Sequence, residues 1–104
     1  MDTARECYYA LRELVARHPG GASSEAAAAA LRKLCRVAAL VADDAACAAA
    51  IAQVQACGEE LFSGGSGGNW VRRRLLRALE DYQARLSVLE ASRGPRNATA
   101  VASR

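Results

Sequence analysis

A block made only of glycine and serine divides the chain and limits what the residues on either side of it can form. Residues 63–68 read Ser-Gly-Gly-Ser-Gly-Gly and stand between Phe62 and Asn69. Segments of this composition behave as flexible tethers without recognition content. The block therefore predicts a linker, whose uniformity indicates an engineered origin, between two natural pieces, 1–62 and 69–104; a natural loop is the alternative.

The composition outside the linker is helical. About a quarter of the 104 residues are alanine and only two are proline, and no alternating pattern typical of strands occurs. A chain of this length supports a single modest core. We therefore expect one all-α domain, a small four-helix bundle built from three helices of the first segment and one amphipathic helix of the second.

The first helix is bounded by clear signals. Thr3-Ala4-Arg5-Glu6 matches a capping box, in which the side chains of Thr3 and Glu6 cap each other's backbone amides. His18-Pro19-Gly20-Gly21 ends the helix, because the residue before proline avoids helical angles and glycine accepts those that follow. His18, the only histidine, is interpreted as a helix-end residue.

The second and third helices are predicted to form an antiparallel hairpin. Ser23 or Ser24 can cap a helix to about Ala42, and its wide apolar surface predicts a place at the centre of the bundle. Asp43-Asp44 then supplies both a turn and a new cap, so the third helix runs from about Asp44 to Phe62. Gly58 inside that helix favours a close approach of another helix.

The second segment reads as a docking helix followed by a tail. Asn69 is a suitable cap, the helix is predicted to end near Ala91, and residues 92–104 lose periodicity and are expected to be disordered. Apolar residues alternate in steps of four and three along the helix, which places them in one seam. The predicted docking residues of this seam are Leu75, Leu79, Tyr82, Leu86 and Leu89, and those of the opposing groove are Leu11, Leu14, Leu31, Leu34, Ile51 and Val54.

Charge is distributed unevenly between the segments. Residues 1–62 carry six basic and eight acidic side chains, whereas 69–104 carry eight basic and three acidic ones. Opposite charge speeds and orients the association of two pieces. A possible basic contact patch, formed by Arg72, Arg73, Arg74 and Arg77, would also suit nucleic acid. A solvated or partner-facing surface is favoured over it, because Arg72 and Arg74 point to different sides and no aromatic residue is interleaved.

The remaining residue types exclude several classes of function. The cysteines at 7, 35, 47 and 57 form no Cys-x-x-Cys pair, so no metal site or redox motif is expected. Each lies on or beside an apolar stripe, which predicts buried reduced thiols and a cytosolic or nuclear setting. No signal peptide or membrane span is apparent. No nucleophile and base can be paired, so neither a catalytic residue, a cofactor nor a small-molecule substrate is expected.

These features predict a non-enzymatic protein–protein interaction module, a scaffold or adaptor subunit. The partner would bind by a helix in the groove or on the surface of the bundle. Either the two segments come from different proteins and their interface is the biological interaction, or a long loop of one protein was replaced. A nucleic-acid-binding module and a secreted, disulfide-stapled ligand of the cytokine type are the alternatives.

Overall fold

Four helices form an all-α bundle, as the sequence predicts. The computed structural model describes residues 3–18, 23–64 and 68–93, and this part of the chain contains no strand. The helices are α1 (Ala4–Arg17), α2 (Glu25–Ala42), α3 (Ala45–Phe62) and α4 (Gly68–Arg93).

Side-chain caps fix where the first three helices begin. The Thr3 hydroxyl accepts from the Glu6 amide at 3.0 Å, and the Glu6 carboxylate accepts from the Thr3 amide at 3.2 Å, which completes the predicted capping box. Ser24 caps α2 through the Ala27 amide, and Asp44 caps α3 through the Cys47 amide, at 3.1 and 3.0 Å. Each cap satisfies an amide that has no partner within its helix, so short-range signals were enough to predict these starts.

The helices alternate in direction and form a ring. Each packs on its neighbour in the chain, and α1 closes the ring against α4 through the least extensive of the four contacts. The Ser24 amide donates to the Phe62 carbonyl oxygen at 2.8 Å, which pairs the start of α2 with the end of α3. The prediction of a central α2 is wrong. α3 makes the most extensive contacts, and Leu40 on α2 stays 74% exposed, because α2 packs mainly on α1 and α3.

The predicted close approach at Gly58 is confirmed. Gly58 is buried, and a Cβ atom at this position would lie 2.5 Å from Cδ2 and 3.0 Å from Cδ1 of Leu31. Leu31 is itself fully buried on α2. The missing side chain of Gly58 therefore makes the space that the Leu31 side chain fills, and it sets the spacing between α2 and α3.

Parts of the predicted linker belong to ordered structure. The Ser63 and Gly64 amides donate to the carbonyl oxygens of Glu59 and Leu61, at 3.0 and 3.3 Å, so both residues complete the end of α3. Gly64 has a φ of +77°, in the left-handed region that glycine accepts, and a Cβ atom there would lie 3.0 Å from the Ser23 backbone nitrogen.

The bounds of α4 also differ from those predicted. The helix begins at Gly68, so the predicted cap Asn69 lies inside it. It continues through Ser92 and Arg93, which the sequence pattern places in the tail. The remaining linker positions, 65–67, and the remaining tail positions, 94–104, lie outside the described residues.

The fit of Leu31 over Gly58 predicts that the effect of Gly58→Ala on stability depends on the side chain at position 31. Gly58→Ala should lower the free energy of unfolding by about 1 kcal/mol, because overpacking costs about 1–3 kcal/mol and the gain in helix propensity returns about 1 kcal/mol. Leu31→Val removes both Cδ atoms that the new methyl group meets. In that background Gly58→Ala should become neutral or stabilising in urea unfolding. Equal effects in both backgrounds would contradict the close approach.

Gly64 provides a second test of the fold. Gly64→Ala should destabilise the bundle by about 1–2 kcal/mol, because a Cβ atom is unfavourable in the left-handed region. Gly64→Asn brings the same Cβ atom toward Ser23 but tolerates these backbone angles better. The difference between the two variants in thermal or urea unfolding therefore measures the backbone term, and no difference would argue against the left-handed angle.

Candidate docking interface

The seam of α4 is buried along most of its length. Of the predicted docking residues, Leu75, Leu79, Tyr82 and Leu86 are buried, and Leu89 at the end of the helix is half-buried against the core. Val71 and Ala78 are buried beside them. These residues recur every three or four positions because the same face of a helix returns at that interval. One continuous apolar stripe of α4 therefore faces the other helices.

The groove residues behave in two ways. Leu11, Leu31, Ile51 and Val54 are buried, whereas Leu14 and Leu34 are only partly buried at the edge of the core. The prediction of the groove omitted several buried residues of the same cluster. These are Cys7, Tyr8, Val15, Cys35, Ala38, Cys57, Leu61 and Phe62. The spacing in the sequence does place Tyr8 and Val15 on the apolar face of α1. The burial of Phe62, the last residue of α3, depends instead on the path of the chain.

Phe62 is covered from the end of α1. The ring of His18 packs edge-on against the Phe62 ring with 5.8 Å between centroids, and the His18 amide donates to the Val15 carbonyl oxygen at 3.2 Å. His18 therefore closes the end of α1, as predicted, and also shields the core from solvent.

Polar contacts flank the apolar seam on the α1 side. Arg5 Nη2 lies 2.6 Å from Glu90 Oε1 and 3.3 Å from Ser87 Oγ. The Tyr8 hydroxyl donates to Gln83 Oε1 at 3.1 Å. The hydrogen bond to Glu90 raises the pKa of Arg5, although partial burial opposes its charge. Because the α4 partners Gln83, Ser87 and Glu90 are exposed, these polar contacts add little to stability and serve mainly to fix the register of α4.

One polar contact flanks the seam on the α3 side. Arg74 Nη1 of α4 and Glu60 Oε1 of α3 are separated by 3.8 Å, and both side chains are about half-exposed. The pair joins the positively charged segment to the negatively charged one. An exposed pair at this distance is screened by water and salt, so the apolar seam dominates the interaction between the segments.

Tyr82 occupies the middle of the seam. Burial raises the pKa of its phenol, and the thiols of Cys7, Cys47 and Cys35 lie near enough for their ionisation to raise it further. Its hydroxyl oxygen is 3.5 Å from the Ala4 carbonyl oxygen. Tyr82 is fully buried, and the Ala4 contact places its hydroxyl against the first residue of α1.

All four cysteines are buried, which confirms that part of the prediction. All belong to the described part of the chain, and no disulfide joins any two of them. Burial raises the pKa of Cys7, and it raises that of Cys35 to about 12. The thiols of Cys7 and Cys35 therefore remain neutral at physiological pH and act as small apolar groups.

The four arginines of the possible basic contact patch do not form one surface. Arg72 is half-buried and its Nη1 lies 3.5 Å from the Val15 carbonyl oxygen at the end of α1, while Arg74 faces Glu60 on α3. Arg73 and Arg77 are exposed and, within the described residues, have no carboxylate oxygen within 4.0 Å. The sequence argument that Arg72 and Arg74 point to different sides agrees with this geometry.

The described residues contain neither a candidate metal site nor a membrane-spanning helix. No group of three or more His, Cys, Asp or Glu side chains there could hold a metal ion. In the same part of the chain, no helix has both the length and the apolar character needed to cross a bilayer.

Comparisons with other proteins give no further guidance. No protein-family model matches the chain, and no curated protein or solved structure shows significant similarity to it. The geometry of the interface is therefore the basis for inferring a function.

Alkaline pH should destabilise the interface through its buried thiols. The pKa of Cys35 is raised to about 12 in the folded state, whereas an unfolded thiol titrates near 8.5. The unfolded state then loses its proton first, so stability falls above about pH 8.5, by about 1.4 kcal/mol per pH unit for this group. Urea unfolding between these pH values should show a shallower decline for Cys35→Ala than for the wild type. Parallel declines would contradict a buried thiol.

Proposed function

We propose that the chain is a non-enzymatic protein–protein interaction module, a scaffold or adaptor, in which α4 docks as an amphipathic helix in a groove formed by α1, α2 and α3. The observation that carries the proposal is the burial of Leu75, Leu79, Tyr82 and Leu86 along one face of α4. Recognition of an amphipathic helix by an apolar groove is a recurrent mode of peptide binding.

The contact has the composition of a protein interface. An apolar centre is bordered by exposed polar pairs, among them Arg5 with Glu90 and Arg74 with Glu60. This division between an apolar core and a polar rim is typical of interfaces between separate proteins. The opposite net charges of 1–62 and 69–104 also favour their association. These properties support docking between two pieces that could exist apart.

The two alternatives have less support. A nucleic-acid surface would need its arginines to face one way, but Arg72 and Arg74 are directed to α1 and α3. A secreted, disulfide-stapled ligand would need cross-links between cysteines, and the buried thiols fill apolar positions instead. The same use of cysteine supports a cytosolic or nuclear setting.

Cleaving the linker tests whether docking is autonomous. A protease site should be placed between Gly64 and Gly68, because both of these residues belong to ordered structure. After cleavage we expect the two pieces to elute together as a 1:1 complex in size exclusion, because the buried seam does not require the covalent connection. Elution as separate pieces, or precipitation, would show that α4 is an inseparable part of one core.

Substitutions in the seam give the matched control. Leu79→Asp combined with Leu86→Asp should abolish cooperative unfolding of the intact chain and separate the cleaved pieces, since unpaired charges would be buried. Leu76→Asp introduces the same charge on α4 at a position that is 42% exposed, and it should leave both properties nearly unchanged. Normal docking of the double variant would remove these leucines from the interface.

A further inference from the structure

The outward face of α4 carries apolar side chains that the bundle does not use. Trp70 and Val88 are each 64% exposed, although Trp70 is the only tryptophan of the chain. An exposed indole is suited to a contact surface, because it combines a large apolar ring with an N–H donor.

These residues belong to one line along the helix. Trp70, Arg77, Asp81, Ala84 and Val88 follow one another in steps of seven, four, three and four, so they lie on one side of α4, away from the seam. All five are exposed. The small side chain of Ala84 lets another helix approach closely.

The charged members of this line form no ion pair with any other described residue. Neighbouring pairs on the helix, Arg77 with Glu80 and Asp81 with Arg85, are the contacts that the sequence favours. Within the described residues neither pair comes within 4.0 Å, and no other ion pair involves Arg77 or Asp81. One positive and one negative group are therefore available on the same surface.

We propose that this outward face of α4 binds the same face of a second copy of the chain, with the two helices antiparallel about a two-fold axis that crosses the outward face at the level of Leu79 along the helix. Trp70 and Val88 lie nine positions on either side of Leu79, and Arg77 and Asp81 lie two positions on either side. A two-fold axis at that level places Trp70 against Val88 of the second copy and Arg77 against its Asp81. Every contact then forms twice, as a two-fold interface requires.

The arrangement of charges disfavours two shifted registers. An axis at the level of Arg77 would set Arg77 against itself, and an axis at Asp81 would set that carboxylate against itself. Like charges that face each other across an interface are unfavourable, so both shifts are disfavoured. The axis at Leu79 pairs opposite charges and also brings the exposed apolar residues together.

The dimer is independent of the proposed docking of α4. It uses the side of the helix that faces away from Leu75, Tyr82 and Leu86, so either interface can fail while the other remains. If the chain does not dimerise but its cleaved pieces still elute together, the dimer is contradicted and the proposed docking of α4 is not.

Charge reversal in the full chain tests the register. Sedimentation velocity should be measured from about 1 µM to about 500 µM, because a contact between two helices is a small interface with weak affinity. We expect a dimer fraction that rises with concentration. Arg77→Asp and Asp81→Arg should each raise the dissociation constant at least about tenfold, since each sets like charges together. The double variant re-creates opposite pairs and should return to within about threefold of the wild type.

Two further measurements keep the test decisive. Arg36→Asp changes the net charge equally at an exposed site on α2 and should leave the dissociation constant unchanged. Emission from Trp70 should shift to shorter wavelength as the dimer forms, because the indole leaves water, and Val88→Asp should prevent the shift while circular dichroism stays helical.

A chain that remains monomeric throughout this concentration range would overturn the proposal. So would single variants that dimerise as well as the wild type, or a double variant whose dissociation constant does not return toward that of the wild type. A monomer whose Trp70 emission changes on addition of oligo(dT) would assign this face to nucleic acid instead. The same response to polyglutamate but not to oligo(dT) would assign it to an acidic protein segment.

Discussion

The small volume of its side chains is the constraint on which this bundle depends. Alanine supplies about a quarter of the residues, so the helices can bury enough apolar surface only by approaching one another closely. Gly58 is the extreme case, because Leu31 occupies the space that any side chain there would fill. The few large residues, Phe62 and Tyr82 above all, are then placed where the helices leave room. Buried cysteines fit the same pattern, since a neutral thiol is a compact apolar group that packs between alanines.

The apolar seam and its polar border have different roles in this close-packed bundle. The apolar face of α4 removes surface from water and supplies most of the stabilisation. The contacts of Arg5 with Glu90 and of Tyr8 with Gln83 are directional and lie in the first half of α1. The contact of Arg72 with the Val15 carbonyl oxygen lies near the end of α1. Together these contacts fix the axial position and the rotation of α4 relative to α1. An apolar stripe of similar leucines would not define them alone. The preserved rotation in turn determines which residues of α4 face outward.

Short-range physics made most of the fold predictable from the sequence. The caps at Thr3, Ser24 and Asp44 act within one helical turn, and the seam of α4 is a simple periodic pattern. Predictions failed where long-range contacts decide. α2 is not central because the ring closes between α1 and α4. The groove was predicted incompletely for the same reason: His18 buries the Phe62 ring across the bundle. The linker boundary is an exception, because it shifted through the short-range hydrogen bonds of the Ser63 and Gly64 amides at the end of α3. The arginines at 72–74 diverge because helix geometry directs successive side chains to different neighbours.

The unequal extent of the four helix–helix contacts determines how the bundle opens. α2 and α3 are joined by a two-residue turn at one end and by the hydrogen bond from the Ser24 amide to the Phe62 carbonyl oxygen at the other, so they form a closed hairpin. The contact between α1 and α4 is the least extensive and is held at its border by exposed pairs. Native-state fluctuations begin where the fewest buried contacts must be broken. The bundle is therefore expected to open first at the contact between α1 and α4. Separation of these two helices exposes Cys7 and Tyr82 while the α2–α3 hairpin stays folded.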